Sequence, residues 1–158
     1  MTTKRKATDR PHVLIVGDDQ DLSTFLSEGL MMGGFWTSTI ASGIQAIEVF
    51  RLRGFDLVLI DALIGGMDVV ELTRRLRTPG SETSERTDVP LFIIAGSLDE
   101  VDPEAISAAG SDGLLLPPIE LETLIPALFG AIDEWRAHHP ERPWADQAAQ
   151  LKAETGDQ

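Results

Sequence analysis

Three aspartates stand where apolar runs end. Asp18 and Asp19 follow HVLIVG at residues 12–17, and Asp61 follows FDLVLI at residues 55–60. Carboxylates that close together repel one another, so either their pKa values rise or a cation neutralises them. A hard ion such as Mg2+ suits carboxylate, carbonyl and water oxygens. One strand-end aspartate alone reads as a helix cap. Three that converge argue for a shared pocket, provided the fold brings the ends of both runs to the same place.

The elements needed for that are legible as alternating patterns. Residues 12–17, 55–60 and 90–95 (PLFIIA) are short, β-branched apolar runs closed by turn or acidic residues, which predicts strands buried on both faces. Leu22, Phe25, Leu26 and Leu30 recur at helical spacing before Gly33-Gly34. A strand over 35–40 follows, and Ser42 then caps a helix carrying Ile44, Ile47 and Phe50 that ends near Gly54. Further helices are predicted over 68–77, 102–109 and 120–138, and a fifth strand over 113–116. The polar segment TPGSETSERTD at 78–88 reads as a loop, and Pro126 should kink the last helix or limit its first turns. Five strand–helix pairs require parallel strands joined by crossover helices, hence an α/β domain. In the flavodoxin-like order 2-1-3-4-5 the first and third strands are neighbours, so Asp18, Asp19 and Asp61 meet at one sheet end.

Composition narrows the function classes. The chain has 158 residues, enough for one domain: a mobile basic tail at 1–11, the domain at 12–139, and a C-terminal tail at 140–158 with a short helix around 144–154. Cysteine is absent, which removes disulfides, thiolate metal sites and cysteine nucleophiles. Twenty-six acidic residues against 13 basic ones give a net charge of −13, and no lysine lies between Pro11 and Leu151. That field repels phosphate backbones and anionic membrane surfaces, so neither nucleic acid nor membrane is expected as a direct partner, and a cytoplasmic location is expected. No phosphate-binding glycine motif is present. His138-His139 reads as a solvated pair at a helix end. Trp135 and Trp144 suit either tail packing or a partner surface.

VLIVGDDQDL at 13–22, FDLVLIDALIGGMDVVEL at 55–72, VPLFIIAGS at 89–97 and AAGSDGLLLPPIELETL at 108–124 together resemble response-regulator receiver domains over residues 12–138. The resemblance implies that Asp18 and Asp19 bind Mg2+, with Asp61 and the backbone carbonyl of Leu63 completing the metal site. It implies that Asp61 accepts a phosphoryl group from a histidine kinase or a phosphotransfer protein. The same resemblance makes the fourth and fifth strands and the last helix a face for a protein partner or a homodimer, and suggests that the Pro117-Pro118 peptide is cis.

Several positions depart from the family pattern. Ala95 stands where a serine or threonine hydroxyl contacts the phosphoryl group, Pro117 where a lysine precedes proline, Leu114 where an aromatic switch residue is usual, and Ile64-Gly65 where the family has Met-Pro. With one cation missing, phosphorylation and its readout should weaken, while Mg2+ should still bind weakly, because the three aspartates and the Leu63 carbonyl supply the oxygens it needs. The expectation is therefore a signalling domain, not an enzyme, that acts through protein contacts. A phosphorylation-independent pseudo-receiver adaptor is the alternative. A small haloacid-dehalogenase-type phosphatase, suggested by Asp19-Gln-Asp21 and Ser97, is remote because its basic residue is lacking.

Overall fold

The computed structural model describes residues 10–79, 87–142, 144 and 145. The elements alternate as predicted: β1 His12–Val16, α1 Gln20–Met32, β2 Trp36–Ile40, α2 Gly43–Leu52, β3 Leu57–Asp61, α3 Val69–Arg77, β4 Leu91–Ile94, α4 Pro103–Ala109, β5 Gly113–Leu115 and α5 Leu121–His138. A single 3₁₀ turn, Leu98–Glu100, precedes α4. All neighbouring strands are parallel and the order is β2-β1-β3-β4-β5. This is the flavodoxin-like α/β fold.

The continuous apolar runs conceal a period of two that the covering helices resolve. Val13, Ile15, Leu57 and Leu59 face α1 and α5 through Leu26, Leu30, Leu124, Leu128 and Ile132. Leu14, Val16, Val58 and Ile60 face the opposite layer, where Ala46, Ile47, Phe50, Leu72, Leu76 and Ile106 pack. Helix starts are set by side-chain caps: Asp19 accepts from the Leu22 N–H at 3.2 Å, Ser42 from Gln45, Asp68 from Val70 and Glu71, and Asp102 from Glu104 and Ala105. Helix α5 runs through Pro126, whose ring sits at an exposed position and removes one donor from the helix. The Pro117-Pro118 peptide is cis.

Trp135 and Trp144, read from the sequence as suited either to tail packing or to a partner surface, are 8% and 6% exposed and belong to the core. The Arg136 guanidinium lies 4.0 Å over the Trp144 ring, and the Ala145 N–H donates to Asp56 at 3.0 Å, so the chain stays attached to the domain beyond residue 139. His139 is not a free solvated side chain: it stacks on Trp135, and its Nε2 is 3.2 Å from Asp88. Most of the loop expected at 78–88, the basic tail at 1–9 and the helix expected beyond residue 145 lie outside the described residues.

Candidate functional site

β1 and β3 are adjacent, with Val16 opposite Ile60, so the residues that follow them leave the sheet at the same end. Asp61 is the last residue of β3, half-buried, and is paired in register with Ile94 of β4. Its Oδ1 accepts the Leu63 N–H at 3.0 Å. Partial burial, then the charges of Asp19, Asp18 and Glu100, raise its pKa above the usual carboxylate value, while the Leu63 N–H opposes the rise. Among the described residues no cation figures in the groups that shift it. The three aspartates singled out from the sequence are thus electrostatic neighbours, joined by a fourth carboxylate that sequence reasoning did not find.

Each of the acidic pair is also held by backbone. Asp19 caps α1, and Asp18 Oδ2 accepts the Gly65 N–H at 3.3 Å. That second contact requires a residue other than proline at position 65, because proline has no N–H. It also favours glycine, since an added Cβ would lie 3.0 Å from Asp18 Oδ2. The departure Ile64-Gly65 therefore has a structural consequence: it fastens the β3–α3 loop to Asp18.

The donor set suits a hard cation in kind, being entirely oxygen and short of positive charge. As the side chains stand, no group of three or more histidine or acidic residues among the described residues is gathered closely enough to share an ion. Asp18 and Asp19 each point one carboxylate oxygen at a backbone amide.

The remaining rim follows the sequence departures. Ala95 is buried at 1% exposure and brings no hydroxyl, while its N–H donates to the Leu115 carbonyl at 3.1 Å. Ser97 is exposed and makes no side-chain cap bond to the 3₁₀ turn. Leu114 is partly buried against the core, and Pro117-Pro118 is exposed. Asp21, which a phosphatase reading would pair with Asp19, lies exposed in the first turn of α1. No helix among the described residues is long and apolar enough to cross a membrane.

Comparison with known proteins agrees with this architecture. A family model described as the response regulator receiver domain matches residues 13–129. The chain is 27% identical over 143 residues to the transcriptional regulatory protein CseB of Streptomyces avermitilis, covering 89% of this chain and 58% of that protein. It is 30% identical over 118 residues to the DNA-binding response regulator MtrA of Mycobacterium tuberculosis, covering 75% of this chain and 49% of MtrA. The chain spans about half the length of these curated relatives. Among solved structures, a CheY-like receiver domain from Methylobacillus flagellatus superposes with a TM-score of 0.66 at 27% identity, covering 78% of this chain and 99% of that one. A sensor protein from Polaromonas gives a TM-score of 0.68 at 30% identity, covering 80% and 98%. The matched segment contains β1 to β5, the acidic pair and Asp61, and by that match the chain belongs to the response regulator receiver domain family of two-component signalling.

Proposed function

We propose that Asp61 is a phosphoacceptor that takes its phosphoryl group from a histidine kinase or a phosphotransfer protein, with output through protein contact. The observation that carries the reading is the placement of Asp61 at the end of β3, with Asp18 and Asp19 acting on its charge. Oδ1 is committed to the Leu63 N–H, which leaves Oδ2 as the oxygen for an incoming group. The residues that would hold Mg2+ are Asp18, Asp19, Asp61 and the Leu63 carbonyl. When bound, the ion supplies charge neutralisation at the transferred phosphoryl group. Asp18 would share its carboxylate between the ion and the Gly65 amide, which supports weak binding.

Three exposed leucines favour a docking partner at this end. Leu63 follows β3, Leu98 follows β4 and Leu116 follows β5, at 62%, 57% and 38% exposure. Apolar side chains on loops around one carboxylate suit a surface that is covered during transfer. A homodimer or partner face on β4, β5 and α5 remains part of the proposal, without Trp135 or Trp144 as its anchors.

The second reading, a phosphorylation-independent adaptor, is favoured by one observation: Ala95 and Pro117 stand at the hydroxyl and lysine positions of the site. Receiver domains are signalling domains in either case. DNA binding is stated in the name of MtrA, of which this chain spans half. For this chain the −13 charge supports the absence of direct nucleic-acid contact. The deciding experiment is intact-mass measurement after incubation with Mg2+ and acetyl phosphate. A gain of one phosphoryl group in wild type and none in Asp61→Asn is expected. No gain in wild type would favour the adaptor.

A further inference from the structure

The β4–α4 connection folds a carboxylate back onto the end of β4. After β4 the chain passes Ala95 and Gly96 and enters the 3₁₀ turn at Leu98–Glu100. There Glu100 Oε1 accepts the Gly96 N–H at 3.1 Å. A Cβ on Gly96 would stand 2.5 Å from Glu100 Oε2, so glycine leaves the seat that this carboxylate occupies. The strand end it covers is beside Asp61, whose register partner Ile94 lies two residues before Gly96. A backbone amide at the rim, suited to donate to an anion, is therefore already occupied by an anion from the chain itself.

We propose that Glu100 is a built-in competing anion: seated on the Gly96 amide, it opposes phosphoryl transfer to Asp61 and holds the β4–α4 loop in one arrangement until it is displaced. The inference rests on Asp61 being the phosphoacceptor. With acetyl phosphate as donor, a P–O bond forms to an Asp61 carboxylate oxygen and the P–O bond to the acetyl oxygen breaks. Acetate leaves with the electron pair. The product places a dianionic group beside Glu100, and repulsion disfavours both the transfer and the retention of Glu100 on its amide. A carboxylate that merely caps the 3₁₀ turn would add local order and leave the transfer rate unchanged.

The test follows phosphoryl incorporation by intact mass in the full chain with Mg2+ and acetyl phosphate. It compares wild type, Glu100→Ala, Glu100→Gln and Gly96→Ala, with Asp61→Asn as blank. Amide hydrogen exchange at position 96 is measured alongside. Gly96→Ala keeps the charge but pushes it off the amide, whereas Glu100→Gln keeps an acceptor oxygen without the charge. We expect Glu100→Ala to incorporate roughly fivefold faster than wild type, the scale of one partly exposed charge, with the other two variants between. Exchange at position 96 should quicken in Glu100→Ala and Gly96→Ala. Equal incorporation rates in all four overturn the competing role and leave Asp61 as phosphoacceptor. Unchanged exchange at position 96 overturns the contact itself. Absence of incorporation in every protein overturns the phosphoacceptor reading and the competing role with it.

Discussion

Asp61 carries its negative charge at a cost, and that cost has a definite pH dependence. Partial burial raises its pKa above 3.8 on folding, with Asp19, Asp18 and Glu100 adding to the rise. Between 3.8 and the raised value the folded chain binds more protons than the unfolded one, so this contribution to stability falls as pH rises through that window. Asp61→Asn removes the charge. In EDTA at pH 7 the variant should therefore melt above wild type, and the difference should shrink on acidification as wild-type Asp61 becomes protonated in both states. Thermal melts across that pH range check it, and an equal or lower melting temperature for the variant at pH 7 would contradict it. The three aspartates were legible in the sequence because each follows an apolar run whose end is unambiguous. Glu100 and the Gly65 amide were not, because each contact depends on how a few loop residues turn back, and loops have no periodicity to expose that.

At the scale of elements, strands and helices were legible from apolar spacing and cap residues, and the ties between the ends of elements were not. Asp56 is the clearest case. It precedes β3, is 2% exposed, and accepts the His12 N–H at 2.8 Å and the Ala145 N–H at 3.0 Å. One carboxylate thus joins the start of β1, the start of β3 and the segment after α5. In the sequence it is simply a polar residue inside FDLVLI, since the partner amides are 44 and 89 residues away. Arg77 has the same character: at the end of α3 it donates to the carbonyls of Gly110, Thr87 and Val89 and pairs with Asp112 at 2.9 Å. Burial lowers its pKa, and Asp112 and Asp88 oppose that shift. Asp56→Ala would strip two buried amides of their acceptor, at about 1–3 kcal/mol each. Trp144→Ala should cost about 3–5 kcal/mol as a buried aromatic truncation. Urea unfolding should show both losses, and a Trp144→Ala midpoint equal to wild type would mean that the Trp144 side chain adds nothing to the fold.

At the scale of the molecule, a net charge of −13 and a local excess of carboxylates respond differently to added cations. Sodium screens the diffuse self-repulsion of the whole surface, an effect that depends on ionic strength and not on any one aspartate. Magnesium adds to that screening a term for binding at the site, which grows with concentration once the dissociation constant is exceeded. The two contributions separate when MgCl2 and NaCl are compared at equal ionic strength. Wild type should melt higher in MgCl2, and the excess should vanish in Asp19→Asn and diminish in Asp18→Asn, which keeps a carbonyl oxygen able to accept the Gly65 amide. In NaCl the three proteins should share one salt dependence. Because one oxygen each of Asp18 and Asp19 is already engaged by the Gly65 and Leu22 amides, the excess should develop at millimolar rather than micromolar Mg2+. Identical melting of wild type in the two salts would show that the acidic end of the sheet responds to cations only through general screening, and the metal site would then be lost from the proposal.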